Sequence, residues 1–166
     1  MQLSVEFPES AQNCRAADYN CAYNRRKTMK QINLLMRNNV RDLAGLMHEA
    51  SAFLESQTLP VAVVYKANLV MEEVLTNIVK YAFEDSAEHE ISVLLSVNDD
   101  DLVMTFEDDG REFDPLAVPP PAPKETLEDT DEGGLGVYLV RKSVDSMEYC
   151  RDYSKNVFKT RISLRT

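Results

Sequence analysis

Glu73, Asn77 and Lys80 stand four and three residues apart in a stretch whose apolar residues recur at helical spacing. A carboxylate, an amide and an ammonium therefore project from one helix face. Alone, such a trio is what any solvated helix face offers, but two further groups of residues make it a candidate for chemistry. In F-E-D-D-G-R-E-F-D-P, Phe106 to Pro115, an apolar strand ends on acids and a glycine. Asp108 can accept a hydrogen bond from an exocyclic amine, and Gly110 leaves the backbone open to close approach by a flat ring. Gly133, Gly134 and Gly136 open a helix, and amide N–H groups at a helix start, freed of side chains, cradle an anion such as a phosphate. Four of the five glycines fall in these two places, more than plain turns require.

The elements that must position these residues are legible as periodicities. A strand is expected from Lys30 to Met36, then Asn38 or Asn39 as the cap of a helix striped by Val40, Leu43, Ala44, Met47, Ala50 and Leu54. A second helix starts near Thr58 to Pro60 and carries Val64, Ala67, Met71, Val74, Ile78 and Ala82, with Glu73 and Asn77 on its other face. Ile91, Val93, Leu95 and Val97, then Leu102, Met104 and Phe106, alternate as two antiparallel strands joined at Asn98 to Asp101. Pro115 to Glu132 is expected as a long mobile loop, placed as a lid between the two glycine groups. A third helix striped by Val137, Val140, Val144 and Met147 leads to strands at Glu148 to Asp152 and Val157 to Leu164. This pattern predicts an α/β (α+β) two-layer sandwich, with helices on one face of a mixed, largely antiparallel sheet. Residues 1–28 show no periodicity and are expected as a leader outside a domain spanning 29–166.

The chain has 166 residues, enough for one domain, and a net charge of -10. The excess is local: between Asp99 and Glu132 thirteen acids face only Arg111 and Lys124. Such a surface repels a phosphate backbone, so nucleic acid is not expected as a partner. No apolar run approaches the roughly 20 residues of a membrane span, and the start lacks a signal-like pattern, so no membrane is expected and the location is read as cytoplasmic. Cys14, Cys21 and Cys150 have no zinc-like spacing and are expected as reduced thiols.

M-E-E-V-L-T-N-I-V-K-Y-A-F at Met71 to Phe83, E-D-D-G-R-E-F-D-P at Glu107 to Pro115 and G-G-L-G-V-Y-L-V-R-K at Gly133 to Lys142 together resemble the anti-sigma-factor serine kinases of the GHKL ATPase superfamily, over about residues 29 to 166. The resemblance implies the histidine-kinase-like ATPase fold, with ATP and Mg2+ as cofactors. It assigns Glu73 as general base, Asn77 as the Mg2+ ligand and Lys80 as positive charge near the phosphates. Asp108 becomes the adenine-reading carboxylate, with Gly110, Phe113, Gly133, Gly134, Leu135, Gly136 and Val137 lining the nucleotide. It further implies a STAS-domain antagonist as substrate, a sigma factor as second partner and a homodimer. The family commonly has a threonine where Lys159 stands, with Thr160 next. Histidine kinases share the boxes but need an upstream phosphoacceptor histidine, and the only histidines here are His48 and His89. The expected function is an ATP-dependent serine protein kinase and anti-sigma factor; the alternative is a nucleotide-binding regulatory module without significant transfer.

Overall fold

The computed structural model describes residues 29–120 and 135–165. Five strands, β1 (Lys30–Arg37), β2 (Glu90–Val97), β3 (Asp101–Asp108), β4 (Ser146–Asp152) and β5 (Lys155–Ser163), form one sheet in the order β1-β2-β3-β5-β4. Every neighbouring pair is antiparallel, so the expected mixed sheet has no parallel pair among the described residues. Alternation decides which face is covered. Ile91, Val93, Leu95, Leu102, Met104, Phe106, Phe158 and Ile162 are buried in one cluster with Leu46, Leu54, Val70, Met71, Leu75 and Val140 of the helices. Each fully buried side chain of this kind stabilises the fold by about 1.5–3 kcal/mol relative to exposure. The helices α1 (Val40–Ser56), α2 (Val61–Tyr81) and α3 (Leu135–Ser143) thus form the second layer of the α/β sandwich.

Local chemistry sets the element ends. Asn39 caps α1, its Oδ1 accepting from the N–H groups of Arg41 and Asp42. Asn38 is instead bonded to Ala87 and His89 across the start of β2. The β2–β3 hairpin is closed by Asn98, whose Oδ1 accepts from Asp100 and Asp101 at 2.8 and 3.0 Å.

Two expectations fail. The third helix ends at Ser143, so Val144 is outside it and Met147 belongs to β4, facing Thr160 of β5. Asp145 N–H donates to the Arg161 carbonyl, which draws the chain into the sheet; the spacing of three was met by a helix followed by a strand. Cys150 is disulfide-bonded rather than a reduced thiol; Cys14 and Cys21 lie outside the described residues. No described helix is long and apolar enough to cross a membrane.

Candidate functional site

α2 is the axis of the site because its two sides differ in chemistry. Val70, Met71, Val74 and Leu75 are buried against the sheet, which leaves Glu73 and Asn77 half-buried and Lys80 exposed on other sides of the same turns. None of these three makes a hydrogen bond or ion pair within the described residues. Gly136 at the start of α3 packs onto the first two. A Cβ on Gly136 would stand 2.6 Å from Glu73 Oε2 and 3.3 Å from Asn77 Nδ2, closer than a side chain can approach without moving the glutamate. The glycine therefore lets the first turn of α3 lie against the carboxylate and amide. Leu135 beside it is 53% exposed, whereas Val137 is buried. Gly133 and Gly134, the other two glycines expected here, lie outside the described residues.

The D-x-G turn closes onto the other end of α2. Arg111 N–H donates to the carbonyl of Ala82, the C-cap of α2, at 2.8 Å. A Cβ on Gly110 would meet Ala82 Cβ and O at 2.6 Å. The residue has no positive φ, so glycine is needed here for contact with α2 and not for conformational freedom. Asp108 closes β3 and is 6% exposed. Its Oδ1 accepts from Gly110 N–H at 2.9 Å and from Asn156 Nδ2 at 2.8 Å. Burial pushes its pKa above the ordinary 3.8, while the bonds from Asn156 and Gly110 and the nearby Arg151 charge pull it back down. Phe113 follows, half exposed. Thus Glu73, Asn77 and Gly136 meet at one part of α2, and Asp108 and Gly110 at its C-terminal end.

Several residues at the site carry no sequence signal. Asn156, Arg151 and Tyr149 form the bonded wall behind Asp108, yet lie more than forty residues downstream of it. His89 bridges Asp85 and Asp109 through its two ring nitrogens at 2.9 and 3.0 Å and stacks on Phe83, tying the α2–β2 connection to the D-x-G turn. Arg141 in the last turn of α3 donates to the carbonyls of Pro115, Leu116 and Val118, so the first part of the expected lid is held by the helix; residues 121–134 are outside the description. Lys159 points away from the helices toward Glu148. Thr160 points inward, 1% exposed, and its Oγ1 has no hydrogen-bond partner among the described residues.

A helix that carries a carboxylate and an amide, a second helix against it with Gly136 in its first turn and a buried carboxylate at the sheet end are all contained in residues 36–164, which match the family model of the histidine kinase-like ATPase domain. The chain belongs to that family. Among curated relatives, the serine-protein kinase RsbW of Bacillus velezensis is 32% identical over 84 residues, covering 48% of this chain and 52% of that protein. The serine-protein kinase RsbW of Bacillus licheniformis is 30% identical over 97 residues, covering 56% and 61%. The protein of the same name from Listeria innocua is 30% identical over 97 residues, covering 56% and 62%. The chain thus spans between half and about three fifths of the length of these relatives. The three stretches quoted above, Met71 to Phe83, Glu107 to Pro115 and Gly133 to Lys142, fall within the matched residues.

Proposed function

We propose that this chain is an ATP-dependent serine protein kinase and anti-sigma factor that phosphorylates a STAS-domain antagonist in a partner-switching pathway. The observation that carries the reading is the approach of Gly136 to Glu73 and Asn77, which sets helix-start amides beside a carboxylate and an amide that have no partner among the described residues. The names of the relatives support the kinase class. Glu73 takes the proton of the attacking serine hydroxyl. Asn77 offers an oxygen to Mg2+; no group of three or more acidic, histidine or cysteine side chains able to hold a metal occurs among the described residues, so the remaining ligands would be phosphate oxygens and water. Bound Mg2+ would neutralise charge on the phosphates. Lys80 adds positive charge along the same face, the α3 start receives phosphate oxygens, and Asp108 accepts from the adenine amine. Phe113, Leu135 and Val137 flank the nucleotide, and Gly133 and Gly134, outside the described residues, are assigned to nucleotide binding by the sequence resemblance alone.

The proposal extends to a homodimer, for which β1, an edge strand among the described residues, offers exposed Leu35 with exposed Met29 and Val40 just beyond its ends, and to a cytoplasmic location. It also takes residues 1–28 as a leader outside a kinase domain spanning 29–166; among the described residues the buried core runs from Leu34 to Ile162. The test is transfer of radiolabel from [γ-32P]ATP to a serine of a STAS-domain protein, measured with and without dithiothreitol because a disulfide at Cys150 is unusual in a reducing compartment. Labelled substrate that depends on Mg2+ is the expected result. ATP binding without transfer to any STAS protein would assign the regulatory module instead.

A further inference from the structure

Asn156 on β5 stands directly opposite Asp108 on β3 in the antiparallel register, and is 6% exposed. Its amide is used on both sides. Nδ2 donates to Asp108 Oδ1 at 2.8 Å and to the Arg111 carbonyl at 2.9 Å. Oδ1 accepts from the Tyr149 hydroxyl at 2.8 Å and from Arg151 Nη1 at 2.7 Å. Arg151 Nη1 also donates to the Gly110 carbonyl at 2.8 Å. Turning the amide over would set its oxygen against a carboxylate and a carbonyl, and its NH2 against two donors, so the orientation is fixed by chemistry. Asp108 in turn is held through Oδ1 alone; no described residue bonds its Oδ2.

We propose that Asn156, locked by Tyr149 and Arg151, is a positioning residue that aims Oδ2 of Asp108 at the exocyclic amine of a 6-aminopurine and so selects adenine over guanine nucleotides. This rests on the reading of Asp108 as the base-reading carboxylate. Adenine presents an N–H donor at C6 where guanine presents a carbonyl, and a carboxylate accepts from the first and repels the second. The selection works only if the carboxylate is ionised and cannot rotate away, and Asn156 serves both ends: it fixes the rotamer and, with Gly110 N–H and Arg151, opposes the protonation that burial favours. The other charged groups around this wall are Asp109, which pushes toward protonation, and Glu112 and Asp114 beside Tyr149; α2 faces the turn with Ala82.

The test uses the full chain and the fluorescent N-methylanthraniloyl derivatives of ATP and GTP, titrated with wild type, N156A, Y149F, R151K, D108N and D108N/N156A. N156A is expected to weaken ATP binding about tenfold, the value of one buried hydrogen bond to a charged group, and to bring the ATP-to-GTP preference toward one. Y149F and R151K shift the preference the same way by less. Because protonation of Asp108 removes the acceptor, ATP affinity falls as pH is lowered, and N156A begins that fall at a higher pH than wild type. On the D108N background, N156A changes neither preference nor pH profile. A wild-type preference and pH profile in N156A overturns the inference while leaving Asp108 as base reader. An unchanged preference in D108N overturns the base-reading assignment itself. Should N156A fail to fold, Y149F and R151K decide: wild-type selectivity in both overturns the proposal.

Discussion

At the sheet end, Asp108 sits in a wall of bonds from Gly110, Asn156, Arg151 and Tyr149, whereas along α2 the side chains of Glu73, Asn77 and Lys80 bond to no described residue. Both regions touch the same helix, and each includes a glycine that allows a close approach. The difference teaches where rigidity is invested. If Asp108 recognises a base by one hydrogen bond, as we propose, it has to be aimed and kept ionised beforehand, and a buried carboxylate needs hydrogen-bond partners in any case. Glu73, Asn77 and Lys80, which we propose handle phosphate and proton, are more exposed, and on that proposal the absence of a described protein partner leaves them free to engage the substrate.

The strongest way to break this comparison is Glu73→Gln. Transfer to the protein substrate should fall by about 100-fold or more, as for loss of a positioned base, while ATP affinity by fluorescence titration stays within about twofold. Near-wild-type transfer would remove Glu73 from the mechanism. Asp108→Asn should do the reverse, weakening ATP binding about tenfold because an amide can present a donor to the adenine amine; an unchanged Kd would show that the base is read elsewhere.

The two glycines sharpen the contrast further. An added Cβ at Gly110 meets the backbone oxygen of Ala82, which cannot move cheaply, whereas at Gly136 it meets the flexible end of Glu73. Gly110→Ala should therefore cost about 1–3 kcal/mol of stability and lower Tm by several degrees. Gly136→Ala should leave Tm nearly unchanged yet slow transfer about tenfold by displacing the base. Equal Tm losses in both variants would contradict the distinction between a structural and a functional glycine.

The smallest effect concerns His89. Its pKa is raised, chiefly by the bond to Asp85 and then by Asp109. A raised folded-state value means that the charged form stabilises the fold below the ordinary histidine value of 6.5, and that this contribution is lost as pH rises through the folded value. His89→Gln should accordingly lower Tm in acid and match wild type in alkali. A Tm difference independent of pH, read from melting curves across that range, would show that stacking on Phe83 and not charge is what His89 supplies.

The elements were largely legible because burial imposes its period on the chain. Ala67, Met71 and Val74 read as a helix stripe, and Ile91 to Val97 as a strand, since in each case one face is packed and the other is not. Local capping chemistry was legible to within one residue, as Asn38 or Asn39 at the start of α1, and the structure assigns the cap to Asn39. The third helix misled at Val144 and Met147, where a turn brings both residues to the same core by a different route.

What the sequence by itself determined is the set of candidate groups related by local spacing: Glu73 and Asn77 one turn apart, Asp108 two before Gly110, and Gly136 in the first turn of a helix. A helix or a tight turn converts such spacing directly into geometry. Only the tertiary structure decided what those groups touch. The antiparallel register of β3 and β5 puts Asn156 against Asp108 across 48 residues, and the packing of α3 on α2 puts Gly136 against Glu73. Neither contact is encoded in periodicity, because a strand's register and a helix's neighbour are chosen by the burial of the whole core, while the polar residues that meet as a result show no pattern of their own.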